Sequence, residues 1–120
     1  MRERRQTLTI GNGRERMRGK SYMYAWEYLV RPSGVLKFKR IYGPKGKWAR
    51  LFRKARGYVR TELHRDMGKP RRFITIDYWK SYQAWKRFRQ KFASEFAELD
   101  LKCERMTTSE KEIGRFKPID

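Results

Sequence analysis

The side chains between Tyr82 and Cys103 leave this chain few ways to fold. Tyr82, Trp85, Phe88, Phe92, Phe96, Leu99 and Cys103 follow one another at intervals of three or four residues, the spacing that aligns side chains along one face of an α-helix. Lys86, Arg87, Gln90 and Lys91 fall off that stripe. A face this apolar is stable only against another layer, so the spacing predicts one continuous helix packed on a sheet. Directly before it, "RRFITIDYW" (71–79) alternates with period two, the pattern of a strand. Ser81 stands at the junction as an N-cap, its hydroxyl placed to accept from an otherwise unpaired backbone N–H of the helix.

The remaining elements follow from the same two periods. "SYMYAWEYLV" (21–30) alternates, with Tyr22, Tyr24, Trp26, Tyr28 and Val30 on one face and Met23, Ala25, Glu27 and Leu29 on the other. After "RPSG", Val35, Phe38, Ile41 and Tyr42 recur at helical spacing until Gly43-Pro44. A second helical stretch carries Trp48, Leu51, Phe52 and Ala55 and ends at Gly57. "YVRTELHRD" alternates again and reaches "RRFITIDYW" through the turn "DMGKP", which predicts a hairpin. Thr107-Thr108 reads as a polar break, and "KEIGRFKPI" as a short last strand kept to an edge or an end by Pro118.

The order strand, helices, strand, strand, helix, strand predicts an α+β, ferredoxin-like antiparallel sheet with helices on one face. One helix layer covers one face only. A second copy laid against the other face would supply the cover, so the expected assembly is a homodimer closed as a dimeric α+β barrel. The glycine- and arginine-rich residues 1–20 lack any hydrophobic period and read as a basic flexible arm before a single domain spanning 21–120.

Charge sets the competing expectation. The chain carries a net charge of +19, concentrated in residues 31–91, where twenty Lys and Arg face three acids. Such a segment attracts polyanions, so a nonenzymatic basic module binding nucleic acid or other polyanions without sequence specificity is an alternative function. The pattern weakens that reading, because it turns the aromatics of "KWARLFRKARGY" and "WKRFRQKF" inward, whereas base stacking needs exposed rings. A lone Cys103, no apolar run long enough to span a bilayer and no signal-like N-terminal stretch place the expected location in the cytoplasm, without membrane insertion.

"YGPKGKWARLFRKARGYVRTELHRD" and "RFITIDYWKSYQAWKRFRQKF" resemble the antibiotic-biosynthesis-monooxygenase-like family of dimeric α+β barrels. The likeness runs from about Tyr22 to Phe116 and is most specific at Gly57-Tyr58 and at Trp79-Lys80-Ser81. It implies a cavity between sheet and helices for a small aromatic or hydrophobic molecule. It also implies, for the oxygenases of the family, a cofactor-independent monooxygenase chemistry in which a deprotonated substrate reduces oxygen directly. No cofactor is then expected. Heme is disfavoured: the asparagine, tryptophan and histidine that mark heme-degrading relatives align with Tyr28, Phe88 and Glu98, or Glu95 with a gap.

Candidate site residues follow from the strand faces. If Glu27 points to the polar side, Tyr24, Trp26 and Tyr28 point toward the helices, as do Trp48, Phe52, Trp85 and Phe88. Trp26, Trp48, Phe52, Trp85 and Phe88 are the expected ligand-binding walls, and Tyr24, Tyr28 or His64 the expected catalytic groups that handle a proton. The same rings are also what a filled core needs. Glu27, Arg60, Glu62, His64, Thr75 and Asp77 are expected together on the opposite face, with Ile74 and Ile76 toward the helices. There His64 would stand beside Asp77 in a charge network rather than a metal site, and no metal is expected.

Overall fold

The computed structural model describes residues 21–119 and, before them, only the backbone of Gly11–Asn12 (β1) and Arg18–Gly19 (β2), which pair antiparallel. The flexible arm expected over 1–20 otherwise lies outside the described residues. Tyr22–Val30 forms β3, and its aromatic positions are buried as the alternation requires. A 3-10 turn at Pro32–Gly34 leads into α1 (Val35–Tyr42), which buries Phe38, Ile41 and Tyr42. The Gly43 N–H closes that helix on Lys39 O at 3.1 Å, and Pro44 prevents another turn.

Helix α2 (Lys47–Arg53) buries Trp48, Ala49, Leu51 and Phe52 and turns Arg50 and Arg53 outward. Both guanidiniums fold back on the preceding loop, Arg50 Nη1 to Lys45 O at 2.8 Å and Arg53 Nη2 to Pro44 O at 2.7 Å. Gly57 then reverses the chain with φ at +91°, a region that L side chains enter only with strain. A Cβ on Gly57 would also stand 2.5 Å from Ala84 Cβ, so strand and helix meet there without room for a side chain.

Strands β4 (Tyr58–Arg65) and β5 (Arg72–Trp79) form the expected hairpin. At its turn, Asp66 Oδ1 accepts from the N–H groups of Gly68 and Lys69 at 2.7 and 3.1 Å, while Oδ2 takes Arg72 Nη1 at 2.7 Å. Ser81 caps α3 (Tyr82–Lys91) as expected, its Oγ accepting from Ala84 N at 3.0 Å. The stripe from Tyr82 to Cys103 is not one helix, however. Phe92 has φ −111° and ψ 31°, which ends α3, and α4 (Ala93–Cys103) starts after it. The aromatic spacing bridges this break because the Phe92 N–H still bonds Phe88 O and the Phe96 N–H still bonds Phe92 O, both at 2.9 Å.

After a 3-10 turn at Glu104–Met106, β6 runs from Thr107 to Phe116. It is longer than expected, because the polar Thr107-Thr108 pair opens the strand instead of breaking the chain. An edge strand tolerates polar residues that an interior strand would not. The sheet order is β4-β5-β3-β6, antiparallel throughout, which is the ferredoxin-like arrangement. The connections from β3 to β4 and from β5 to β6 carry α1 and α2, and α3 and α4, respectively, and the core they build with the sheet is dominated by rings. Phe38, for example, is fully buried against Tyr28, Tyr42 and Phe73. Cys103 is buried in the same core.

One face assignment is reversed. On β5 the buried residues are Phe73, Thr75, Asp77 and Trp79, while Arg72, Ile74, Ile76 and Tyr78 are half-buried on the uncovered side. Two polar residues thus enter the core and two isoleucines leave it. Register explains the outcome: β3 brings Tyr22 opposite Trp79 and Tyr28 opposite Phe73, and these large rings fix which face of β5 meets the helices. Thr75 and Asp77, lying between them, are carried inward.

Candidate active site

The inward turn of β5 builds a polar cluster inside the aromatic layer. Asp77 lies directly across from Tyr24 on β3 and from Thr61 on β4, and Thr75 across from Trp26 and Leu63. Asp77 is 1% exposed and Thr75 2%. A carboxylate so far from water needs hydrogen bonds, and Thr61 supplies one, its Oγ1 donating to Asp77 Oδ1 at 2.5 Å. With its own hydrogen committed there, Thr61 accepts from the Tyr58 hydroxyl at 2.7 Å. Thr75 Oγ1 donates to the Tyr28 hydroxyl, and Trp79 Nε1 to the Tyr24 hydroxyl, each at 3.4 Å.

Tyr58 reaches this cluster through a backbone irregularity. Strict alternation would put residues 58 and 61 on opposite faces. A bulge between Tyr58 and Arg60 inserts Val59 as an extra residue, so Tyr58 pairs with Trp79 and joins Thr61 on the helix side. The ring of Tyr58 packs on Phe52 and Trp79. Burial pushes its phenol above the ordinary value; the bond to Thr61 opposes that, the nearby Asp77 charge adds to it, and Arg53 opposes it.

The expected wall residues are all buried, but in two groups. Trp85 of α3 packs against Tyr22 and Tyr24 at one end of the layer. Trp48, Phe52 and Phe88 join Trp79 and Phe96 at the other. Trp26 faces the helices beside Thr75 and is 7% exposed. The indole Nε1 of Trp85 is buried with no hydrogen-bond partner among the described residues. An orphaned N–H in an apolar layer costs roughly 1–3 kcal/mol, which an acceptor placed there would recover.

Tyr24 and Tyr28 therefore stand where their alternation put them, and His64 does not join them. His64 projects from the opposite face of the sheet, its side chain 54% exposed, with Nε2 at 3.2 Å from Glu62 Oε1. The expectation that His64 stands beside Asp77 fails for the same reason that β5 is reversed. On that open face Glu62 also meets Arg60 at 3.2 Å and the Tyr78 hydroxyl at 3.4 Å. Its carboxyl lies below the ordinary value, chiefly through the bond to His64. Glu27 is paired there with Arg72 at 2.6 Å. Thr61, Thr75, Asp77 and Tyr58 were not assigned to this site from sequence; the pairing of Phe73 and Trp79 with the inward face of β3 is the signal for Thr75 and Asp77, and the bulge that joins Tyr58 to Thr61 leaves none.

Comparison with known proteins bears on the fold that carries this cluster. Residues 47–98 match the family model described as antibiotic biosynthesis monooxygenase. No curated protein matches the chain. Among solved structures, a mutant of SnoaB, a cofactor-independent oxygenase from Streptomyces nogalater, superposes with a TM-score of 0.67 at 17% identity, over 84% of this chain and 95% of that one. PA3566 from Pseudomonas aeruginosa gives 0.62 at 15% identity, over 84% and 96%. A conserved protein from Methanosarcina mazei Go1 gives 0.64 at 10% identity, over 83% and 94%. The ferredoxin-like fold is common to all of them.

Proposed function

We propose that this chain, antibiotic-biosynthesis-monooxygenase-like by its match over 47–98 and by its fold, binds a small aromatic or hydrophobic molecule between its sheet and helices and oxidises it without a cofactor. The observation that carries this reading is the Trp85 indole N–H, buried without a partner beside the Tyr24 ring, in a layer that also holds the Tyr28 hydroxyl. An electron-rich phenol or anthrone has a carbonyl or phenolic oxygen for Trp85 and Tyr24 and flat faces for the surrounding rings. Once such a ligand loses a proton, its carbanion reduces oxygen; overall a CH₂ group and O₂ become a carbonyl and water. Water exclusion by Trp26, Trp48, Phe52, Trp85 and Phe88 protects the carbanion from reprotonation by solvent.

The functional unit in this reading is a homodimer, with a second copy covering the open sheet face. Ala25, Ile74, Ile76 and Tyr78 form an apolar centre there, ringed by the Glu27–Arg72–Asp66 and Arg60–Glu62–His64 clusters. The test is oxygen uptake with a panel of quinols and anthrones, wild type against Tyr28→Phe and Trp85→Phe. Faster uptake with wild type than with either variant is expected. No substrate of the panel consuming oxygen faster with wild type than with Trp85→Phe would refute the reading.

A further inference from the structure

The geometry points to Asp77 as the base that takes the ligand's proton, and to Thr61 and Tyr58 as the relay that exchanges this proton with solvent; the inference rests on the ligand-binding reading above. Tyr24 and Tyr28 are poor acceptors for a carbon acid, because a neutral phenol is a weak base and their hydroxyls already accept from Trp79 Nε1 and Thr75 Oγ1. His64 is on the wrong face. Asp77 is the one carboxylate on the helix side of β4, β5 and β3, directly across from Tyr24 and inside the water-excluded layer.

A buried base needs a route for its proton, and the bulge in β4 supplies one. Asp77 Oδ1, Thr61 Oγ1 and the Tyr58 hydroxyl form a continuous chain with steps of 2.5 and 2.7 Å. It runs from the fully buried carboxylate to a half-buried tyrosine on an edge strand. In the resting arrangement Tyr58 donates to Thr61 and Thr61 donates to Asp77. When a ligand C–H bond breaks, its proton joins the Asp77 carboxylate and its electron pair stays on carbon. Once Asp77 is protonated, the Thr61 and Tyr58 hydroxyls rotate so that donation runs outward, and the three hydrogens then shift one place each: Asp77 to Thr61, Thr61 to Tyr58, Tyr58 to water. The reverse shift returns a proton to protonate the peroxide formed when the carbanion adds O₂, and that hydroperoxide collapses to carbonyl and water. Thr61 and Tyr58 are positioning and relay residues in this scheme; Asp77 alone meets the reacting proton.

The experiment uses the full chain and dithranol, a dihydroxyanthrone, in D₂O without oxygen. Tryptophan fluorescence reads binding, absorption reads enolate formation, and NMR reads replacement of the methylene hydrogens by deuterium. Wild type is expected to bind dithranol, to show the enolate band and to speed exchange. Asp77→Asn should bind within severalfold of wild type and lose the enolate and at least about a hundredfold in exchange rate. Thr61→Val and Tyr58→Phe should keep the enolate but slow the exchange. If Asp77→Asn proves unfolded by circular dichroism, infrared spectroscopy of wild type replaces it, and a new carboxylic-acid C=O band on anaerobic binding is expected. Undiminished enolate and exchange in Asp77→Asn, or no such band in wild type, overturns Asp77 as base and leaves ligand binding intact. Exchange at the wild-type rate in both Tyr58→Phe and Thr61→Val overturns the relay. Failure of wild type to bind dithranol or any quinol or anthrone of the panel removes the ligand-binding reading, and the inference with it.

Discussion

Replacing Gly57 by alanine tests how tightly strand β4 is seated on helix α3. The residue has φ at +91°, and forcing an L side chain into that region costs roughly 1–2 kcal/mol. The new Cβ would also lie 2.5 Å from Ala84 Cβ, against an optimal carbon–carbon separation of about 3.5–4.0 Å. Neither partner yields easily: Gly57 O accepts from Lys80 N at 2.7 Å, and Ala84 N is held by the Ser81 cap. Overpacking of this kind costs about 1–3 kcal/mol, so the substitution should destabilise by roughly 2–5 kcal/mol in total. Urea unfolding followed by circular dichroism, at one protein concentration, would show a lower midpoint at constant slope. In an Ala84→Gly background the clash is gone and only the backbone strain remains, so Gly57→Ala should then cost about 1–2 kcal/mol. An equal cost in both backgrounds would refute the contact, and a cost under about 0.5 kcal/mol in wild type would refute the whole reasoning.

Three further outcomes are expected. Ser81→Ala removes the cap on α3 and should lower stability by about 1 kcal/mol in the same urea assay; no change would mean that Ser81 does not hold the helix end. Ile76→Glu puts a charge in the centre of the open sheet face, so light scattering should report monomers with unchanged circular dichroism if that face joins two copies, and an unaltered mass would refute the pairing. The Asp66 carboxyl is held below its ordinary value, first by the Gly68 N–H and then by Arg72. Its contribution is therefore complete above the unfolded value of about 3.9 and is lost as pH falls through the lower native value. Asp66→Asn should flatten the fall in urea midpoint on acidification below that value, and a parallel fall would show that the turn contributes nothing to acid stability.

The helices and the faces of β3 were legible because their aromatic periods are long and unbroken. Tyr24, Trp26 and Tyr28 stand where alternation alone placed them, and Trp85 and Phe88 where the stripe placed them. The break at Phe92 was invisible, since spacing at three and four residues survives a one-residue interruption. On β5 a local rule misled: Ile74 and Ile76 are more apolar than Thr75 and Asp77, yet Phe73 and Trp79 outweigh them. The bulge at Val59 left no hydrophobic signature, so the joining of Tyr58 to Thr61 could not be read from the alternation. Both departures fall at the polar cluster, where the sequence departs from what packing alone would choose.

The distribution of side chains over the sheet also governs how copies of this chain can meet. The outer strands bear charge along their length, Arg60, Glu62, His64 and Arg65 on β4 and Glu110, Lys111, Glu112 and Arg115 on β6, and β4 is further twisted by its bulge. The apolar centre belongs to the inner strands. Backbone pairing at an edge is open-ended, because each added copy exposes a fresh edge, and charges there discourage it. Packing face against face is self-limiting, since two copies consume the surface that attracts them. In a chain this rich in aromatic and β-branched strand residues, the charged outer strands thereby oppose the open-ended stacking that leads to fibres.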